Sequence, residues 1–285
     1  MTKTISCVIR TYNEAKWIGK LIDTLRSQSN VSFDREIVVV DSGSTDASVD
    51  IVKNLDVKLI EIQKAEFNYS KALNLGIENS TGDLIVILSA HSIPREDGWL
   101  QRIIGHFKDE KVAGVYCRQI PWPDADPFEV LRIEKTFGET SRNFSKEASN
   151  ANISFSNVAS CIRRKVWEKH PFIILPAAED FEWAQWAIEN GYKIVYDAQA
   201  SVYHSHRDTC SQAARRMIEL EKAADIRLLR KRTFFLMMKQ VLSSLIRGIV
   251  MVLLSARFKG NRVRYSARCL LISFWYVVNF KRKGK

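Results

Sequence analysis

The stretch that most constrains the fold is residues 36–46, EIVVVDSGSTD. Ile37, Val38, Val39 and Val40 form an unbroken β-branched run, which suits a strand buried on both faces of a parallel sheet. Asp41 ends the run, Ser42-Gly43-Ser44 makes a turn, and Thr45 and Asp46 suit the start of a helix over Ala47–Asn54. A carboxylate at the carboxyl end of such a strand lies at the crevice where open α/β sheets bind ligands. Taken alone, Asp41 and Asp46 read equally well as turn and helix caps.

The same alternation recurs through the first part of the chain. Residues 4–10 (TISCVIR) predict a strand, followed by a polar loop at 11–14 and a helix over Ala15–Ser27. Val57–Ile62 predicts a short strand, and a helix then runs to Asn79 with Ser70 as its N-cap. Leu84–Leu88 is a fully apolar strand ending in Ser89-Ala90-His91. This order predicts a doubly wound, mostly parallel sheet with its strand ends gathered on one side. Further on, strands are expected at Val112–Arg118, Val158–Arg163 and Tyr192–Ala200, with helices at Trp99–Phe107, 128–140, Lys165–Lys169 and Ala178–Asn190. Residues 141–157 are polar, asparagine-rich and without periodicity, and a connection of that length is expected to serve function.

Charge divides the chain. Residues 1–206 hold 24 Lys+Arg against 28 Asp+Glu, whereas residues 207–285 hold 19 against 4. All of the basic excess therefore sits in the last stretch, which is also very apolar. Lys239 and Arg247 interrupt its longest apolar segment, so a helix lying in a membrane interface fits better than a spanning one. The apolar run Cys269–Phe280 is too short to span and is flanked by basic residues suited to anionic headgroups. Long apolar runs between the charges favour lipid over nucleic acid. The expected organisation is a catalytic domain over 1–206 and a helical membrane-associating tail over 207–285. Five scattered cysteines without metal-type spacing read as free thiols, with Cys7 and Cys161 in the core. The opening residues enter a strand pattern directly, with no signal-peptide pattern.

Four stretches taken together resemble one family. Residues 7–14 (CVIRTYNE), 36–46, 67–94 (FNYSKALNLGIENSTGDLIVILSAHSIP) and 157–206 are similar, in order and spacing, to the bacterial family 2 glycosyltransferases. Within that family they are most like the rhamnosyltransferase-type members that build surface polysaccharides. The resemblance implies a GT-A fold (Rossmann-like, with helices flanking the sheet), a nucleotide-sugar donor, a divalent metal (Mn²⁺ or Mg²⁺) and inversion at the anomeric carbon. It places Thr11, Tyr12, Glu14, Asp41, Lys71 and Ser89 around the donor nucleotide, with Asn74 on the same helix as Lys71, and Arg163 and Arg164 either reaching the diphosphate or lying on the surface.

The metal position departs from the family. An Asp-x-Asp usual at the end of the fourth strand is here Ser89-Ala90-His91. Ser89 carries no charge, while His91 can ligate a metal through neutral imidazole, with His204 matching the family's late histidine and His206 close behind. Imidazole ligands suit Mn²⁺ better than Mg²⁺. Residues 179–183 (EDFEW) match the family's Glu-Asp-x-x-Trp signature, which makes Asp180 the general base and assigns Glu179 and Trp183 to the acceptor side or its support.

The expected function is an inverting transfer of a sugar from a UDP- or dTDP-linked donor to a hydroxyl of a lipid-linked or growing bacterial surface polysaccharide. The expected location is the cytoplasmic face of the inner membrane, held peripherally on its anionic surface, with a homo-oligomer left open. Two other readings stay open: a catalytically inactive nucleotide-sugar-binding subunit, encouraged by Ser89, and a nucleotidyltransferase.

Overall fold

The computed structural model describes residues 4–29, 35–147 and 154–206, together with the isolated helical residues 212, 242, 246, 267, 270 and 271. The tail reading therefore falls almost wholly outside the described residues, as do Cys210 and Cys269. No described helix is long and apolar enough to cross a membrane. Two compact units are distinguished, Met1–Ile120 with Phe137–His204 and Pro121–Thr136 with Ser205–Lys285.

In the first unit the expected alternation is present. β1 (Ile5–Thr11), α1 (Ile18–Arg26), β2 (Arg35–Asp41), α2 (Ser48–Lys53), β3 (Lys58–Glu61), α3 (Tyr69–Glu78) and β4 (Leu84–Ser89) follow one another. These four strands pair in parallel in the order β3-β2-β1-β4. The apolar runs of β1, β2 and β4 are buried on both faces: Val8, Ile9, Val38, Val39, Val40, Val86 and Ile87 are all fully enclosed. Cys7 and Cys161 are core residues as expected, and Cys117 joins them. α3 lies directly on this sheet at Gly76, where an added Cβ would stand 2.5 Å from Val8 Cγ1.

Beyond β4 the sheet is mixed. The remaining elements are β5 (Ile93–Pro94), α4 (Trp99–Gly105), β6 (Val112–Ile120), β7 (Arg142–Phe144), β8 (Ala159–Arg163), α6 (Arg164–Trp167), α7 (Glu179–Glu189) and β9 (Lys193–Tyr203). The second unit contributes α5 (Pro127–Thr136). Strand order continues β4-β8-β6-β9-β5, with β7 also on β9. β8 runs antiparallel to both β4 and β6, whereas β6 and β9 are parallel. β5 and β7, both antiparallel to β9, were not expected from the sequence. Each is only two or three residues long, too short for a period of two to register.

The antiparallel course of β8 corrects one expectation. Leu84, which opens β4, faces Arg163, which closes β8. Arg163 and Arg164 therefore lie at the end of the sheet opposite the carboxyl ends of β1, β2 and β4. Arg163 is buried and donates to the carbonyls of Val112, Phe107 and Asp109. Arg164 donates to the Gly82 and Ile77 carbonyls and to Ser80 Oγ. Both arginines tie loops together, neither reaching the gathered strand ends nor lying loose on the surface.

Candidate active site

The carboxyl ends of β1, β2 and β4 bring the expected residues into register. Thr11 stands opposite Asp41, and Arg10 opposite Ser89. The loops that follow β1 and β2 are stitched together. Asn13, in a left-handed conformation (φ 54°) that asparagine tolerates, accepts the Thr45 N–H at 2.8 Å through its side chain and donates its own N–H to Ser44 Oγ. The Ala15 N–H donates to Asp46, and the Glu14 N–H to Ser48 Oγ. Asp46 also accepts the Ser48 N–H, so it acts as the expected helix-start residue and the helix begins at Ser48.

Asp41 is buried and caps its own turn. Its Oδ1 accepts the Gly43 and Ser44 N–H groups at 2.9 and 2.8 Å, and its Oδ2 accepts Ser44 Oγ–H at 2.5 Å. A carboxylate offers about four acceptor sites, so capping leaves it room for one more donor. Tyr12 is exposed at the rim, where its hydroxyl pairs with Lys64 and its ring lies 4.5 Å from the Lys64 ammonium.

Lys71 and Asn74 separate in role. α3 is capped by Asn68, whose side chain accepts the Ser70 and Lys71 N–H groups. Asn68 displaces Ser70 from the expected cap, and Ser70 instead donates to the Ile173 carbonyl at 2.7 Å. Asn74 donates to the Phe172 carbonyl and accepts from Trp167 and the Phe172 N–H, so it holds the 171–176 loop. Lys71 is exposed.

The two histidines singled out in the sequence meet. His91 and His204 stack with centroids 4.8 Å apart at 16°. His91 Nδ1 lies 2.7 Å from Glu14 Oε1. A carboxylate on one ring nitrogen fixes the tautomer and leaves the lone pair on Nε2, the arrangement found around metal-ligating histidines. Glu14, expected at the nucleotide, is thus a partner of His91. The ligand-type atoms of His91 and His204 lie within 4.8 Å of each other.

Asp180 opens α7. Ala178, just before it, is held in the left-handed region (φ 69°, ψ 28°), which for a residue with a Cβ costs about 1 kcal/mol. Asp180 accepts the Phe181 N–H at 2.8 Å and the Asn157 N–H at 3.2 Å. Burial pushes its carboxyl up to about 7, reinforced by the charge of Glu179 and opposed by those two hydrogen bonds and the Arg10 guanidinium. Such a value suits a proton acceptor near neutral pH. Glu179 is itself buried. Trp183 is fully enclosed against Phe155 and Phe172, and Gly114 would bring a Cβ within 3.0 Å of its ring. It supports the site from the core and offers no face to a sugar.

Arg10 and Asn157 are the residues the sequence reading passed over. The one signal for Arg10 is a cation closing an otherwise apolar strand. Its guanidinium lies 4.9 Å from the Tyr69 ring. Among the described residues, Arg10 Nε, Thr11 Oγ1, Ser42 Oγ and Asn157 Nδ2 are buried without a hydrogen-bond partner. Each such atom costs about 1–3 kcal/mol, and several in one neighbourhood mark a place built for a polar ligand.

Comparison with known proteins agrees with this reading. Residues 6–169 match the model of Glycosyl transferase family 2, more than half of the chain. The O-antigen chain rhamnosyltransferase WbaN of Salmonella anatum is 30% identical over 76% of this chain and 70% of its own length. The O-antigen chain rhamnosyltransferase RfbN of Salmonella typhimurium is 28% identical over 72% and 67%. Among solved structures, the mannosyltransferase PcManGT from Pyrobaculum calidifontis, in complex with GDP-Man and Mn²⁺, matches with a TM-score of 0.63 at 17% identity, over 97% of this chain and 88% of that one. At that identity the likeness gives the fold, the mixed α/β architecture of GT-A glycosyltransferases. With its family model matched across β1 to α6 and its strand ends arranged around Asp41, His91 and Asp180, the chain belongs to glycosyl transferase family 2.

Proposed function

We propose that the protein is an inverting glycosyltransferase that moves a sugar from a UDP- or dTDP-linked donor to a hydroxyl of a lipid-linked or growing bacterial surface polysaccharide. The observation that carries this reading is Asp180, a half-buried carboxylate raised to about 7 beside the carboxyl ends of the donor-binding strands. Inversion needs one base. Asp180 takes the proton from the acceptor hydroxyl as its oxygen attacks C1 from the face opposite the leaving diphosphate. Asp41, with one acceptor position to spare, reads a ring N–H of the base, while Thr11, Tyr12 and Ser89 border the ribose and diphosphate. Lys71 is the donor-side cation in this reading, and Arg10, whose charge acts on Asp180 and which stands opposite Ser89 in the sheet, would stabilise charge on the leaving diphosphate.

His91 and His204 fit a divalent ion because Glu14 already fixes the His91 tautomer. A bound Mn²⁺ would supply charge neutralisation on the diphosphate. The chain's own residues orient it: Glu14 holds His91, and the stacked His204 keeps that ring in place. Residues 1–206 form the catalytic domain in this reading, and residues 207–285 hold it on the cytoplasmic face of the inner membrane through their net charge of +15.

The test is nucleotide-sugar turnover by the purified protein over a panel of UDP- and dTDP-sugars, with Mn²⁺ or with chelator, alongside Asp180→Asn and His91→Ala. Metal-dependent release of UDP or dTDP, lost in both variants, supports the reading and names the donor. Nucleotide binding without turnover, even with bacterial envelope lipid extract, favours the binding-subunit reading. Turnover indifferent to chelator and to His91→Ala removes the metal from the proposal and leaves the base.

A further inference from the structure

Among the described residues of the first unit, five large apolar side chains are exposed. They are Tyr12, Phe67, Tyr69, Ile173 and Ile174, with Ile174 the most open at 63%. Four of them lie on two segments tied together by built contacts, Phe67 and Tyr69 on one and Ile173 and Ile174 on the other. Phe67 and Tyr69 pair edge to face at 4.9 Å. The Asn68 side chain donates to the Leu175 carbonyl at 2.8 Å, and Ser70 to that of Ile173 at 2.7 Å. Asn74 anchors Phe172 in the core behind them. Fixed backbone carbonyls on the inner side therefore leave the Ile173 and Ile174 side chains outside by construction.

The position of this patch matters. Tyr69 covers the Arg10 guanidinium, whose charge acts on Asp180, and the 171–176 loop leads within a few residues to Ala178 and Asp180. An apolar edge thus borders the base. Aromatic rings with a polar tip beside aliphatic side chains, flanked by exposed Lys64 and Lys71, match the composition of a membrane–water interface. Ile173 and Ile174 present branched aliphatic bulk, which suits acyl chains better than a sugar ring.

We propose that the catalytic unit carries its own lipid-contacting face, in which Phe67, Tyr69, Ile173 and Ile174 enter the interfacial layer of a bilayer beside Asp180. This inference rests on the membrane-bound acceptor in the function proposed above. It places the base at the depth where a lipid-linked hydroxyl emerges, so the acceptor is presented without leaving the bilayer.

The experiment uses the full chain with Cys210→Ser and Cys269→Ser, since Cys7, Cys117 and Cys161 are buried. An environment-sensitive fluorophore is attached through Ile174→Cys or, as a control at the amino end of β6, Lys111→Cys. Vesicles are phosphatidylglycerol/phosphatidylcholine. The expected result is a blue shift and a several-fold intensity gain at position 174 and none at 111. Sedimentation with vesicles without a change at 174, or with equal changes at both sites, overturns the proposal. Absence of vesicle binding overturns both the face and the proposed location, while donor turnover in solution would keep the transferase reading intact. As a second arm, Ile174→Asp should lower the stimulation of donor turnover by envelope lipid extract about tenfold and leave slow donor hydrolysis in solution unchanged. Equal loss in both assays would make the patch part of a sugar site and would also overturn the proposal.

Discussion

Replacing Asp180 with asparagine should make the protein more stable above neutral pH while removing most of its activity. The carboxyl moves from 3.8 to about 7 on folding, chiefly through burial and then through Glu179. Between those values the native state keeps its proton while the unfolded chain has lost it. Stability therefore falls as pH rises through this window, and the full cost is present above it. A gap of about three pH units corresponds to about 4 kcal/mol at most. The carboxylate is partly exposed, and an amide would return only one of the two backbone hydrogen bonds from Phe181 and Asn157. Those two effects reduce the gain to about 1–2 kcal/mol. Urea unfolding of wild type and Asp180→Asn at pH 5 and pH 8 measures it: the variant should gain at pH 8 and the difference should shrink at pH 5. The wild-type kcat/KM should rise with pH on a limb near 7, and the variant should lose about 10²–10⁴-fold in kcat. A variant that is less stable than wild type at pH 8, by more than at pH 5, would refute the reasoning.

Two further outcomes follow from named contacts. Glu14→Gln removes the carboxylate from His91 Nδ1 and should raise the Mn²⁺ concentration for half-activation about 10–100-fold, read from a metal titration of donor turnover. Arg163→Met strips three backbone carbonyls of their donor and should cost about 2–3 kcal/mol in urea unfolding while leaving the donor KM unchanged; a raised KM would return Arg163 to the diphosphate.

Much of this architecture is legible in the sequence because the parallel half of the sheet is buried on both faces. β1, β2 and β4 then read as continuous apolar runs, each closed by the polar residues that line the strand ends. The antiparallel half is less legible. β8 looks like any other apolar strand, and nothing in ASCIR states its direction, which is why Arg163 and Arg164 could be drawn toward the diphosphate. Residue type named Asp180, His91 and His204, but not their partners. Glu14 on His91 and Asn157 on Asp180 join residues 77 and 23 apart in the chain, and only the folded sheet brings them together. Trp183 fits a sugar platform and a core residue equally well until Phe155 and Phe172 are seen to enclose it. Asn68 and Ser70 compete for the same helix start, and the pull of the Ile173 carbonyl on Ser70 decides it.

The central claim is a single displacement with Asp180 as its only base. The most direct measurement is the anomeric configuration of the newly formed linkage, determined by NMR on product made from a donor of known configuration. The account predicts a linkage opposite in configuration to the donor from the first turnover onward. A linkage of the same configuration as the donor would contradict it, because retention requires either a second displacement or attack from the leaving-group face, and in neither does Asp180 serve as the base of a single displacement.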